Sequence, residues 1–193
     1  MDHLGRTSLA PVIVATLALS ACGGSTPSAG ATVAGTASST ASAGSTASGP
    51  CPTSNTRDFA KTRFVADVGL AAGTFHHWIY LPYKAGSFDK GAKGRLTALV
   101  KAGAVALVDA KLIDNAYKNA EASPALCTAL VAPLGRLDAR LSSLKGQLLT
   151  GNVSGLGGVD GLVKQVESAA AGKGLSITEN ADLGAAQSAS TNS

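Results

Sequence analysis

Four segments of the chain carry apolar or small residues at intervals that alternate between three and four, and this spacing constrains the fold most. The pattern is that of helices with one buried stripe, packed at about +20° as in bundles and coiled coils. The four stripes are Val65, Val68, Ala72, Phe75 and Ile79; Leu96, Leu99, Gly103, Ala106, Ala110, Ile113, Tyr117 and Ala120; Cys127, Leu130, Leu134, Leu137, Leu141, Leu144 and Leu148; and Leu156, Val159, Val163, Val166 and Ala170. They predict an all-α domain over residues 51–177, arranged as an antiparallel four-helix bundle.

Local signals indicate where these helices begin and end. Ser54 can cap the first helix, and Pro82 is expected to end it, because proline has no backbone N–H and clashes with the preceding turn. Pro133 lies inside the third stripe, but the apolar phase continues across it. This favours one kinked helix, the alternative being a break near Ala132.

Small residues form a surface on each of the first two predicted helices. The first helix carries Gly69 and Gly73, and the centre of the second stripe is Gly103, Ala106 and Ala110. Without bulky side chains two helices can approach closely, so we expect these two surfaces to pack against each other.

Residues 1–21 have the organisation of an export signal. Arg6 precedes a mostly apolar stretch at 9–21, which suits a signal peptide and is too short to span a bilayer. The stretch ends in Leu19-Ser20-Ala21-Cys22, which resembles the bacterial lipobox, where small residues precede a cysteine that is lipidated. The resemblance implies an extracytoplasmic lipoprotein, held by Cys22 on the outer face of the cytoplasmic membrane. The alternative is an ordinary secretory signal that leaves Cys22 as a thiol.

The segment that follows, residues 23–50, contains only Gly, Ser, Thr, Ala and Pro apart from Val33. It has no charge and nothing large to bury, so it cannot offset its own ordering entropy. With Cys22 it is predicted to be a disordered, lipidated linker of roughly 30 Å root-mean-square span. The small and polar residues 178–193 are predicted to be a disordered tail.

Two cysteines remain if Cys22 is lipidated. Cys51 and Cys127 would lie in an oxidising compartment, where a disulfide between them would tie the start of the first helix to the start of the third. The alternative is that Cys127 is a small buried hydrophobe on its stripe and Cys51 is free.

Aromatic residues are concentrated in one place. Seven of the eight Phe, Tyr and Trp residues lie between Phe59 and Phe88, and residues 75–80 read Phe-His-His-Trp-Ile-Tyr. Six consecutive helical residues cover more than one turn, so they cannot all face one core. Between residues 57 and 95 there are seven Lys or Arg and three Asp, so the net charge of +4 is concentrated there.

Two interpretations of this region remain open. The loop at 82–91 can fold over Trp78 and Tyr80 to form a minor core. Alternatively, the region binds an anionic envelope ligand, a glycan or a protein partner, since aromatic faces beside cations suit such contacts. The candidate binding residues are Phe75, His77, Trp78, Tyr80, Tyr83, Lys84 and Lys90.

Other functions have less support in the sequence. Adjacent helical histidines diverge by about 100°, so His76 and His77 do not form a metal pair, but an envelope enzyme, hydrolytic or metal-dependent, that uses one of them is the alternative function. Asp67 is expected to face solvent or a basic side chain. We expect no cofactor, and the charge is too small for a dedicated nucleic-acid binder. A third hypothesis is that the stripe at 130–148 pairs with another chain.

The stretch 69–80, Gly-Leu-Ala-Ala-Gly-Thr-Phe-His-His-Trp-Ile-Tyr, is similar to uncharacterised exported proteins of GC-rich Gram-positive bacteria. That resemblance implies export and no particular activity. The sequence therefore favours a lipid-anchored binding or structural module of the cell envelope.

Overall fold

The computed structural model describes residues 49–192, and every regular element in them is helical. The elements are α1 Ala60–Phe75, a π turn His76–Tyr80, α2 Leu81–Lys84, α3 Arg95–Glu121, α4 Pro124–Leu149, α5 Leu156–Ala171 and α6 Leu183–Thr191. The predicted signal segment, Cys22 and residues 23–48 of the linker lie outside the described residues. Within the described part, no helix combines the length and the apolar character needed to cross a membrane. The prediction of an all-α domain is confirmed for residues 49–192.

The stripes of the third and fourth predicted helices form the centre of the core. Every member of both stripes is buried, in α4 and α5 respectively. Helix α4 runs without a break through Pro133, so the continuous-helix prediction is confirmed. Because the residues at 130–148 bury their stripe inside this domain, the hypothesis that it pairs with another chain is wrong.

One member of the second stripe is not in the core. Leu96 is 75 % exposed, whereas Leu99 is buried. A strict 3.5-residue repeat drifts against the 3.6-residue turn of a straight helix. At the start of α3 this drift carries Leu96 onto the solvent side.

The first helix differs from its prediction at both ends. It begins at Ala60, and no side chain caps it, so the Ser54 cap is wrong. It also continues past Pro82, because the π turn at His76–Tyr80 leads directly into α2, where the proline occupies the first turn. A wider turn before a proline eases the clash with the carbonyl four residues earlier.

Cys51 and Cys127 form a disulfide, with 5.7 Å between their Cα atoms. It joins the segment before α1 to the first turn of α4, as predicted. A hydrogen bond from the Thr56 backbone N–H to the Ala122 carbonyl, 2.9 Å long, fastens the same segment to the end of α3. The chain entering the domain is therefore held at the end where α3 meets α4.

The C-terminal segment, residues 175–192, packs on the domain and is helical in part, so the prediction of a disordered tail is wrong for residues 178–192. Asp182 caps α6 by accepting a hydrogen bond from the Ala185 N–H, and Ala186 is fully buried. The segment lies on the two glycines of α1: a Cβ at Gly69 would meet the carbonyl of Thr178, and one at Gly73 would meet the backbone of Asn180. The small surface of α1 therefore receives this segment, rather than the small residues of α3.

Candidate functional site

The aromatic run at 75–80 divides between two sides of α1 and the π turn. Phe75 and Ile79 are buried in the core, so Phe75 is not available to a ligand. His77 is exposed, while Trp78 and Tyr80 are half-buried. The sequence predicts one continuous binding surface from the candidate residues of this run, but the structure separates them, so no such surface forms.

Trp78 lies under the C-terminal segment rather than under the 82–91 loop. Its indole N–H donates to the Ala181 carbonyl at 3.3 Å, and Lys101 Nζ lies 3.5 Å from the ring centroid. The His77 ring packs edge-on against it, with centroids 4.6 Å apart. Trp78 thus anchors the turn into α6, and Lys101 lies over its half-buried ring.

Tyr80 lies on the side of the π turn opposite to Trp78. Its ring stacks on Phe75 with centroids 6.0 Å apart and lies 6.2 Å from the ring of Tyr83. Phe88 from the following loop is buried in the core. The loop therefore covers Tyr80 in part, which supports the minor-core interpretation for this side. The candidate cations Lys84 and Lys90 are exposed.

The closest polar cluster in this region centres on His76. Its Nε2 lies 2.9 Å from Asp160 Oδ1 on α5, and its Nδ1 lies 2.9 Å from Glu179 in the C-terminal segment. An ionised carboxylate can only accept, so below the raised pKa of His76 both ring nitrogens carry protons and donate to the two carboxylates. Lys164 Nζ completes the cluster at 2.9 Å from Asp160 Oδ2.

The titration of this cluster follows from its contacts. Burial acts to lower the pKa of His76, but the hydrogen bonds with Glu179 and Asp160 outweigh it, and the pKa is raised. Burial acts to raise the pKa of Asp160, but the bonds with Lys164 and His76 outweigh it, and the pKa is lowered. The cluster is therefore a charge-assisted clamp that holds the C-terminal segment against α1 and α5.

The clamp leaves no ring nitrogen of His76 free to act as a base or a metal ligand. Its two carboxylates contact opposite nitrogens, so they do not converge on one point. Among residues 49–192, no group of three or more His, Cys, Asp or Glu side chains is arranged to hold a metal ion. The geometry gives His76 a positioning role.

A second polar group surrounds Asp67, which is buried and does not face solvent, whereas the alternative prediction of a basic neighbour is met by Arg63. The Asn119 amide donates to Asp67 Oδ2 at 3.1 Å, and Arg57 donates to Asn119 Oδ1 at 3.2 Å. Burial raises the pKa of Asp67 to about 6, although Asn119 and Arg63 act to lower it. This group links α1 to the end of α3 and faces a cleft of about 300 Å³.

Asp109 on α3 is a third polar side chain that the sequence did not indicate. It is completely buried, and burial raises its pKa well above its ordinary value. Thr74 Oγ1 lies 2.6 Å from both Asp109 Oδ1 and the Leu70 carbonyl. Since a hydroxyl has one proton, a neutral Asp109 that donates to Thr74, which then donates to Leu70, satisfies both contacts. Asp109 is therefore a structural link between α1 and α3.

The remaining charged residues are distributed unevenly. We define the basic end as residues 81–101 and 145–151, which hold the N-terminus of α3 and the C-terminus of α4. It contains six Lys or Arg and a single carboxylate, that of Asp89. In the described part of the chain, none of the lysines of the basic end pairs with a carboxylate. Its cations are Lys84, Lys90, Lys93, Arg95, Lys101 and Lys145.

Sequence reasoning located the aromatic and basic residues but missed the His76 clamp. The partners of His76 lie 84 and 103 residues away, on α5 and in a segment predicted to be disordered. Neither separation leaves a periodic signal in the sequence. The only local hint is the Gly69 and Gly73 pair, which indicates that something approaches α1 closely. Compared with family models, curated proteins and solved structures, the chain has no match.

Proposed function

We propose that the chain is a lipid-anchored binding module of the bacterial cell envelope, displayed outside the cytoplasmic membrane, with the basic end as its contact surface. The anchor is Cys22, on the strength of the lipobox resemblance at residues 19–22. The observation that carries the binding role is the surplus of unpaired cations at the basic end. The disulfide supports the location, because such bonds persist in oxidising compartments.

The contact surface keeps part of the predicted binding set. Lys84 and Lys90 are exposed, and Tyr83 is half-buried beside them in the chain. His77 and Trp78 remain accessible on the other side, next to Lys101. An anionic partner would meet six cations with little competition from the protein's own carboxylates.

The fold suits a rigid scaffold of this kind. We infer that α1, α3, α4 and α5 form an antiparallel four-helix bundle. Support comes from the two residues between α3 and α4, which require the chain to reverse direction, and from the contacts of α3 with both α1 and α4. Such a bundle presents the loop at 85–94 and the turn at 150–155 from one end.

The anchor is tested by labelling cells that express the full chain with radioactive palmitate. We expect incorporation into the natural chain and none into Cys22→Ser. Equal labelling of the two chains, or none in either, would contradict the anchor.

The contact surface is tested separately with the mature chain, residues 22–193, carrying Cys22→Ser and added to isolated cell envelopes. We expect retention that falls several-fold in Lys84→Gln/Lys90→Gln. The matched control is Lys61→Gln/Lys173→Gln, which removes two exposed lysines from outside the basic end and should leave retention unchanged. Equal retention of both double variants would contradict the role of the basic end.

A further inference from the structure

The start of α3 exposes large aliphatic side chains. Leu96, Val100 and Leu107 are 75 %, 62 % and 48 % exposed. Their spacing of four and seven residues places them within about 40° of one another around the helix, since each residue advances about 100°. They therefore form one apolar line on the solvent side of a helix whose other face is in the core.

A fourth side chain joins this line from α4. Gly103 lies on the same line, between Val100 and Leu107, and leaves a gap there. Leu149 occupies the gap, since a Cβ at Gly103 would be 3.7 Å from Leu149 Cδ2. Leu149 is itself 58 % exposed. We call Leu96, Val100, Leu107 and Leu149 the apolar stripe.

Lysines border the apolar stripe. Lys93 precedes it in the chain, and Lys145 lies one helical turn before Leu149 on the same face of α4. Both are exposed and neither forms an ion pair in the described part of the chain. At the far end of the line Lys111 is engaged with Asp114, so the free positive charge is at the start of α3. The stripe and the basic end thus form a single surface.

We propose that the apolar stripe and the basic end dock on the surface of an anionic phospholipid bilayer. This inference rests on the proposed extracytoplasmic location and names the partner of the basic end. The leucines would enter the boundary between headgroups and acyl chains, while the lysines contact lipid phosphates.

The chemistry of the surface favours a bilayer over the other partners. Protein interfaces are enriched in aromatic residues and arginine and depleted in lysine, whereas the stripe is aliphatic and five of the six cations of the basic end are lysines. The sixth, Arg95, donates to the Phe88 carbonyl at 2.8 Å. Sugar-binding surfaces need exposed aromatic faces, and the stripe has none. Aliphatic side chains bordered by lysines match the surface of a bilayer, where the acyl chains are apolar and the headgroup phosphates are anionic.

The position of the anchor permits this contact. The chain enters the domain at Cys51, whose disulfide partner is at the start of α4, while the basic end lies at the start of α3 and the end of α4. A 27-residue helix is about 40 Å long. The chain between Cys22 and Gly49 can extend to roughly 90 Å, so an anchored domain can turn its basic end toward the membrane.

The test uses the mature chain with Cys22→Ser and sedimented vesicles of phosphatidylcholine, with or without about 30 % phosphatidylglycerol. We expect partition at least tenfold stronger with the anionic lipid. Leu96→Ser/Val100→Ser should weaken it about tenfold or more, and Lys93→Gln about fivefold. Phe59→Ser is the matched control, because Phe59 is also 75 % exposed and lies outside the basic end, and it should change nothing.

Three results would overturn the inference: equal partition into neutral and anionic vesicles, loss of binding in Phe59→Ser as large as in the stripe variant, or a dimer in light scattering that only the stripe variant abolishes. The last would assign the stripe to a second copy of the chain. Circular dichroism melting of every variant checks that the fold is retained. If vesicles fail to bind while isolated envelopes still retain the chain through Lys84 and Lys90, the proposed function stands and the lipid partner is wrong.

Discussion

The two ends of the bundle differ in how many of their charged side chains form ion pairs. At the closed end, which we define as residues 51–67 and 111–131, five Lys or Arg face four Asp or Glu. Lys111 and Lys118 both bind Asp114, at 2.9 and 2.8 Å. The disulfide lies at the same end. The closed end therefore pairs some of its charged groups within the protein and is covalently tied, although the buried side chains of Asn115 and Ser123 at this end have no hydrogen-bond partner in the described part of the chain.

The charged side chains of the basic end are not paired in this way. Its lysines have no carboxylate partners in the described residues, and Leu96 and Leu149 are exposed beside them. Large apolar side chains next to unpaired cations do not stabilise a monomer in water. The ion pairs and the disulfide therefore lie at one end of the bundle, whereas unpaired lysines and exposed aliphatic side chains lie at the other, which is why we propose the contact surface there.

The largest expected effect is the loss of the disulfide. Cys51→Ala/Cys127→Ala releases a link across 76 residues, and in the chain-entropy view this lowers the free energy of unfolding by about 4 kcal/mol. Guanidinium chloride unfolding measures it, with the reduced natural chain as a second reference. The comparison between the ends predicts unchanged partition into vesicles for folded protein. A parallel loss of vesicle binding would contradict the independence of the two ends.

The next effect concerns the C-terminal segment. Gly73→Ala would force a Cβ against the backbone of Asn180, so we expect a loss of about 1 to 3 kcal/mol. Amide exchange of Asn180, whose N–H donates to the Gly69 carbonyl at 2.9 Å, should accelerate. The control is Gly161→Ala on α5, where a Cβ meets nothing within 4 Å, and which should gain about 0.5–1 kcal/mol. Equal behaviour of the two variants would refute the packing role of Gly73.

Asp67→Asn tests the polar group of the closed end. The pKa of Asp67 is raised to about 6 in the folded state, so the folded chain holds this proton more tightly than the unfolded chain. Its contribution to stability is complete below about pH 4 and falls as the pH rises to about 6. The substitution would remove this decline and stabilise the protein by about 1 kcal/mol at about pH 8, since solvent screens part of the burial penalty. Thermal melting from about pH 4 to 8 measures it, and an unchanged pH profile would contradict the assignment.

His76→Gln should have the smallest effect, below about 1 kcal/mol, because Glu179 and the ring are partly open to solvent. The raised pKa of His76 means that its stabilisation is complete below pH 6.5 and is lost as the pH rises through the folded pKa. We therefore expect the variant to be weaker than the natural chain at about pH 6 and nearly equal at about pH 9. Amide exchange in residues 177–182 is the direct readout, and equal exchange at about pH 6 would contradict the clamp.

Much of the scaffold was predictable because its signals are local. The stripes of α4 and α5 are buried at every position, since contiguous residues encode which face of a helix is apolar. The pairing of Cys51 with Cys127 followed from the number of cysteines and the expected compartment. Leu96 was the exception. Its spacing fits the second buried stripe of the sequence, but in a straight helix that spacing places its side chain on the solvent side.

The candidate site was predictable only in composition. The sequence located the aromatic and basic residues near 75–90, but it did not show that Trp78 lies under Ala181 or that His76 is held by Asp160 and Glu179. Residues 178–192 have small and polar side chains with little intrinsic preference for order. The glycines of α1 leave room for the backbone at Thr178 and Asn180, and the helix that follows is held on the domain by the burial of Ala186.

Periodicity and composition act over neighbouring residues, so the sequence alone predicts the long helices, their buried faces and the place where positive charge is concentrated. What covers each surface follows from the tertiary structure. It placed the C-terminal segment on Gly69 and Gly73, closed one end of the bundle with paired charges, and left Leu96, Val100, Leu107 and Leu149 beside free lysines at the other. Those outcomes depend on contacts between residues far apart in the chain, and such contacts leave no local pattern.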